Sequence, residues 1–193
     1  YTGLGTGLNI TSNSNLIKTY GADQKVEGIQ NMGSQLGYSL PILIDAGYRF
    51  NPYFSAGFSY SYSGNQQYVG PVGVAGNSDV FWGSQNMFGV SAVGYLPLNT
   101  DLYLKGRLGL AYAMATMTTY IGDPGTKMLT SELGVGLQYF MTKYLSLDFD
   151  YINYGALIPM QLHYNPPAGG APDLGTIDTI NNNQIFVSLT VHY

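Results

Sequence analysis

Apolar and polar residues alternate with a period of two along most of the chain, and helical periodicity is weak throughout. The alternation predicts strands near Tyr1 to Ile10, Gln35 to Phe50, Tyr53 to Ser63, Ser84 to Leu96, Asp101 to Met117, Met128 to Met141, Tyr144 to Tyr154 and Gln184 to Tyr193. It is clearest in Leu102, Leu104, Leu108, Leu110 and Tyr112, and in Leu133, Val135, Leu137 and Tyr139. Leu145, Leu147, Phe149 and Tyr151 keep the same rhythm, as do Ile185, Val187, Leu189, Val191 and Tyr193. Each run is long enough to cross hydrocarbon, which takes about 9 to 11 tilted residues.

The connections alternate in length. Asn51-Pro52, Pro97 to Thr100 and Thr142-Lys143 are tight, whereas Thr11 to Ser34, Gly64 to Gly83, Thr118 to Lys127 and Gly155 to Asn183 are long and rich in Asn, Gly, Ser, Pro and Gln. Short and long connections then fall on opposite ends of an up-and-down all-β barrel. An even strand number puts both chain ends beside each other on the short-turn side, within one domain spanning residues 1–193.

Composition decides where such a barrel resides. Only 9% of the 193 residues are charged, against roughly 25% in an ordinary soluble domain. There are 26 Gly, 18 Tyr and 8 Phe with one Trp, a mixture that favours strands and turns. The net charge of −4 and the absence of any Lys/Arg cluster leave no footprint for nucleic acid. Without cysteine there is no disulfide framework, thiol chemistry or thiolate metal site. No apolar run approaches the roughly 18 to 20 residues of a membrane helix, so a chain that spans a bilayer must do so as a closed barrel.

A soluble ligand-binding barrel uses the same period with its apolar face inward, so the polar parity must decide which face is outside. That parity carries small residues: Gly37, Ser39 and Gly47, then Ser55, Gly57, Ser59 and Ser61, and later Gly109, Ala111, Ala113, Gly134 and Gly136. Such residues suit a narrow interior. Its charged members are Asp45, Arg49, Lys105, Arg107, Glu132, Asp148 and Asp150, of both signs and at similar depth for several. Opposite charges at one level of a narrow bore satisfy each other, which predicts an internal ion-pair and hydrogen-bond network that includes Gln138. The prediction requires Leu108 to point outward and Asp148 inward.

Aromatic residues concentrate at membrane interfaces, where an apolar ring meets a polar tip. Tyr48, Tyr53, Tyr95, Tyr139, Tyr144 and Tyr193 form the expected girdle at the short-turn end. Tyr38, Tyr60, Tyr62, Trp82, Tyr112, Tyr151 and Tyr154 form the one at the long-loop end.

Three stretches carry a family resemblance: the opening Tyr1-Thr2-Gly3-Leu4-Gly5-Thr6-Gly7-Leu8, the Gly-aromatic strand Ala46-Gly47-Tyr48-Arg49-Phe50, and the closing Leu189-Thr190-Val191-His192-Tyr193. On these the chain resembles the small eight-stranded outer-membrane barrels, the group of the OmpA transmembrane domain, OmpX and the opacity-type proteins. The resemblance implies an eight-stranded antiparallel transmembrane β-barrel of a bacterial outer membrane, with periplasmic termini and extracellular long loops. It also implies that Leu189, Val191 and Tyr193 form the signal read by the barrel-insertion machinery. Outer-membrane lipid is then the first partner, and host surfaces or other copies of the chain are candidates for the loops.

Candidate chemistry is sparse. His163, Ser78 and Asp79 offer a base, a hydroxyl and a carboxylate in different loops without a catalytic signature, so no enzyme activity is expected. His163 and His192 fall at opposite barrel ends and cannot share a metal, and Asp173 and Asp178 lack calcium-loop spacing. The Gly-x-Gly runs at Gly3 to Gly7 and Gly134 to Gly136 lie inside strands with no helix following, which argues against phosphate loops. No cofactor is expected. Three functional readings remain: a structural or adhesin-like barrel acting through its loops, a narrow OmpW-like barrel passing small hydrophobic ligands through a lateral opening near Pro41 or Pro97, and, least favoured, a surface lipid-modifying enzyme.

Overall fold

The computed structural model describes the backbone of residues 1–13, 35–72, 78–118, 125–163 and 176–193, and the side chains of 1–9, 39–64, 83–116, 127–160 and 182–193. The strands are β1 (Thr2–Asn13), β2 (Gln35–Ser39), β3 (Ile42–Asn51), β4 (Phe54–Val72), β5 (Ser78–Pro97), β6 (Leu102–Thr118), β7 (Gly125–Thr142), β8 (Leu145–Tyr154), β9 (Met160–His163) and β10 (Thr176–Val191). They occupy eight wall positions. β2 and β3 are one crossing interrupted at Leu40-Pro41, and β9 continues the wall beyond β8, pairing with β10 and β7.

Every described pairing is antiparallel and joins sequence neighbours, and β10 returns to β1 from Thr2↔Val191 to Ser12↔Asn181, which closes the barrel. The register sets the bore. Followed from Asp45 through Ser59, Gly89 and Ala111, the ladder meets β7 at Thr130; followed through Gly3, Thr190 and Ser146 it meets β7 at Phe140, a stagger of ten residues. Eight strands so staggered leave an interior that side chains alone can fill.

The apolar parity faces outward: Leu108 is 59% exposed and Asp148 only 1%. Glycine, serine and alanine line the inside because the bore is tight. A Cβ at Gly89 would collide with Glu132 and Ser59, whereas one at Gly94, on the outer face, meets nothing within 4 Å.

The strands run further at the loop end than the alternation indicates. β4 continues to Val72 and β5 begins at Ser78, within the stretch expected to be loop, and β9 and β10 occupy part of 155–183. Beyond Ser63 and before Ser84 the sequence no longer alternates apolar with polar residues. Pairing continues there without the apolar alternation that made the lower strands legible. Bulges between Ser63 and Gln66 and between Val69 and Val72 mark this upper region.

Gly89→Val should cost about 1–3 kcal/mol through overpacking, lowering the urea midpoint of the heat-modifiable folded band in micelles. Gly94→Val should leave that midpoint unchanged; equal loss from both would contradict the inward assignment of Gly89.

Candidate functional site

The bore is filled in levels. At the turn end, the Arg49 guanidinium lies 4.1 Å from the Tyr95 ring centroid and also faces Tyr103 and Phe140, a set of cation–π contacts. Its Nη2 donates to Pro52 O at 2.7 Å and its Nη1 to Gln138 Oε1 at 3.4 Å. His192 stacks on Phe140 with ring centroids 4.8 Å apart and meets Ser146 Oγ at 3.0 Å through Nε2. Burial lowers the pKa of its imidazole, against the opposing pull of Asp148.

Above this lid, alternate residues of β6 and β8 bring the charges together. Lys105 Nζ donates to Asp148 Oδ1 at 2.7 Å and to Asp150 Oδ2 at 2.9 Å. Arg107 reaches across the bore, Nη2 to Asp45 Oδ2 at 2.7 Å and Nη1 to Glu132 Oε1 at 3.0 Å. Gln138 Nε2 donates to Asp148 Oδ1 at 2.9 Å, Ser146 Oγ to Asp148 Oδ2 at 2.9 Å, and Ser59 Oγ to Glu132 Oε2 at 3.4 Å. The eight polar residues singled out from sequence therefore all face the bore, in two sets: Arg49, Gln138, Asp148, Lys105 and Asp150 in one, and Arg107, Asp45 and Glu132 in the other. The room for it comes from glycine: a Cβ at Gly136 would strike Asp150.

The next level is apolar, which the sequence reading of a polar interior missed. Leu43, Met87, Ile152, Tyr154, Met160 and Phe186 form one buried cluster with Ala111 and Ala113, drawn from β3, β5, β6, β8, β9 and β10. The signal was present, since Leu43 and Phe186 interrupt parities otherwise held by small or polar residues. Above it sits an amide and hydroxyl layer in which Asn182 Nδ2 donates to Gln85 Oε1 and Ser61 Oγ to Gln184 Oε1 at 2.6 Å.

Two expected girdle residues are corrected. Tyr95 and Tyr154 are buried inside the bore, Tyr95 against Arg49 and within 3.0 Å of Ser55 Oγ. Tyr95 shares the parity of Ser91 and Val93, and Tyr154 that of Asp148 and Asp150, so the strand pleat overrides aromatic position. Tyr48, Tyr53, Tyr139, Tyr144 and Tyr193 are exposed around the turn end, and Tyr62, Tyr112 and Tyr151 at the loop end. Tyr60 faces outward half-buried and donates to Asn86 Oδ1 at 2.9 Å. The side chains of Tyr38 and Trp82 lie outside the described residues. Leu189, Val191 and Tyr193 all face outward on the closing strand and just beyond it.

Pro41 keeps its contact with β1 and Pro97 its contact with β6. Pro41 O accepts from Gly7 N at 3.3 Å and Thr6 Oγ1 at 3.0 Å, and Pro97 stays in register with Tyr103 at the turn. Ser146, His192 and Asp148 do meet, but the serine stands between the other two. A nucleophilic relay needs the histidine in the middle with the carboxylate on its far nitrogen. The side chains of His163, Ser78 and Asp79 lie outside the described residues, and among those described no three His, Asp or Glu side chains are grouped to hold a metal.

A family model described as "Outer membrane protein beta-barrel domain" matches residues 1–192. Among solved structures the chain is similar to Neisserial surface protein A, at 13% identity and a TM-score of 0.60, covering 100% of this chain and 97% of that one. It is similar to the attachment invasion locus protein Ail of Yersinia pestis, solved in complex with the heparin analogue sucrose octasulfate, at 12% identity, a TM-score of 0.51 and coverage of 100% and 97%. The outer membrane protein AlkL, solved in lipid bilayers, aligns at 11% identity with a TM-score of 0.54, covering 98% of this chain and 90% of that one. These likenesses concern the fold. No curated protein matches the chain.

Removing one side of the ion-pair layer should be worse than removing both. Arg107→Met strands Asp45 and Glu132, and breaking a buried pair in this way costs about 3–5 kcal/mol. Adding Asp45→Asn and Glu132→Gln should restore much of that loss in urea unfolding of the micelle-bound barrel. A triple variant no more stable than Arg107→Met would refute the pairing.

Proposed function

The chain belongs to the outer membrane protein β-barrel domain family, and from that premise we propose that it is a closed bacterial outer-membrane barrel acting as a structural or surface-interaction protein through its long-connection rim. The observation that carries the reading is the occupied bore, crossed by the ion pairs of Lys105 and Arg107 and then by the apolar cluster around Met87 and Phe186. Ions meet fixed charges of both signs at the first level and a surface that does not replace their hydration at the second. With transport disfavoured, the polar rim is the part of the molecule free to meet partners.

Orientation follows from the same premise. Barrels of this class keep short turns on the periplasmic side and long loops outside the cell, so the turns at Asn51-Pro52, Pro97 to Thr100 and Thr142-Lys143, and both chain ends with them, belong on the periplasmic side. Leu189, Val191 and Tyr193 present an outward apolar edge beside the seam with β1, which suits recognition by the insertion machinery before the barrel closes. Host molecules or further copies of the chain are the partners such a rim would take. Passage of hydrophobic ligands is the weaker reading, because Pro41 stays bonded to β1, Pro97 stays in register with β6, and apolar side chains fill the level such a ligand would enter.

Purified protein should leave planar bilayers nearly silent, and a large steady conductance from wild type would overturn the closed bore. On intact cells an epitope inserted after Gly169 should bind antibody while one appended after Tyr193 should not. The reverse pattern would invert the orientation.

A further inference from the structure

At the turn end, the connection between β5 and β6 and that between β7 and β8 stand side by side and leave a groove of about 410 Å³, a size that suits a small polar ligand. Asp101 and Lys143 line it together with Tyr103, Tyr139, Phe140 and Met141. Among the described residues the Asp101 carboxylate accepts only from Thr100 Oγ1, at 3.2 Å, and has no cationic partner. Lys143 Nζ lies 4.7 Å from the Tyr144 ring centroid and among the described residues has no carboxylate partner. One groove thus holds a full negative and a full positive charge that do not neutralise each other.

Its depth is set by the aromatic residues beside it. Tyr139 and Tyr144 are exposed members of the turn-end girdle and Met141 is exposed next to them, so the groove opens where headgroups meet the wall. We propose that it binds the headgroup of phosphatidylethanolamine from the surrounding leaflet, Lys143 taking the phosphate and Asp101 the primary ammonium. Tyr139 and Met141 then meet the glycerol and the first methylenes of the acyl chains. A phosphatidylglycerol head supplies the phosphate but leaves Asp101 facing a neutral diol. A choline head keeps both charges but has no N–H to donate to the carboxylate. The assignment depends on the chain being a membrane barrel and is independent of whether the bore conducts.

The test is native mass spectrometry of the full chain released from micelles containing equimolar phosphatidylethanolamine, phosphatidylcholine and phosphatidylglycerol with identical acyl chains. Wild type should retain phosphatidylethanolamine over phosphatidylglycerol by about threefold, the worth of one exposed charge contact. Asp101→Asn and Lys143→Gln should each flatten the preference, and Asp101→Lys should turn it toward phosphatidylglycerol. All three substitutions lie in solvent-exposed turns, and heat-modifiable migration reports that the barrel has folded. Equal retention of the three lipids by wild type would overturn the proposal, as would a preference that survives in both Asp101→Asn and Lys143→Gln.

Discussion

Hydrocarbon offers the peptide backbone no hydrogen-bond partner, and each N–H or C=O left bare there costs several kcal/mol. Closure of β10 on β1 is the response, and the rest of the molecule is shaped by it. With eight wall positions and a stagger of ten residues, closure leaves a bore that side chains alone can fill. Glycine and serine on the inward parity are how the sequence meets that constraint. Gly89 makes way for Glu132, and Gly136 for Asp150.

Charges admitted to such a space must be matched. Paired burial of this kind adds little stability over an apolar filling of equal volume, because desolvation offsets attraction. Its clearer consequence is positional. Lys105 ties β6 to β8, and Arg107 ties β6 to β3 on the far wall and to β7 beside it. A slip of one residue in any of these strands would turn its charged side chain toward lipid. The ion pairs thus hold register where the small residues lining the bore offer little side chain to interlock. Directly above, Leu43, Met87 and Phe186 fill the same bore by shape alone, so the wall is braced by charge below and by packing above.

The barrel and its charged level were legible in the sequence because both rest on parity, which a single chain displays directly. Lys105 and Arg107 are two apart, as are Asp148 and Asp150, and the pleat leaves them no choice but the same face. Which carboxylate met which cation was not legible, since contacts across the bore depend on stagger, and stagger arises only when the last strand finds the first. Tyr95 and Tyr154 show the opposite error: their nearness to the strand ends outweighed a parity that already placed them inside. The upper apolar level escaped notice because no strand gives it more than two members, and Leu43 and Phe186 stand alone on theirs. Only closure gathers Leu43, Met87, Ile152 and Phe186 at one height.

Where the wall departs from regular pairing, the repairs show where hydrocarbon ends. β8 stops at Tyr154 and the chain turns at Gly155 with a φ of 104°, in the left-handed region that glycine adopts without strain. The amides of Leu157 and Ile158 then bond to Ser131 Oγ at 2.9 and 3.1 Å, and Thr130 Oγ1 donates to Ile158 O at 2.6 Å. On the other side of the barrel, Thr6 Oγ1 does the same for Pro41 O. Side-chain hydroxyls thus replace the missing ladder bonds at both interruptions, as a low-polarity neighbourhood demands. Close to the first of them the outward face turns polar: Tyr151 Oη and Asn153 Nδ2 both donate to Asn183 Oδ1, at 2.6 and 2.7 Å. Further along the wall, Ser84 and Thr116 hydroxyls pair at 3.0 Å on the loop side of Tyr112. An apolar band is bounded by these groups and by Tyr139, Tyr144 and Tyr193 below, and the upper reaches of β4, β5, β6 and β7 lie beyond it. There, backbone pairing no longer needs an apolar face to justify it.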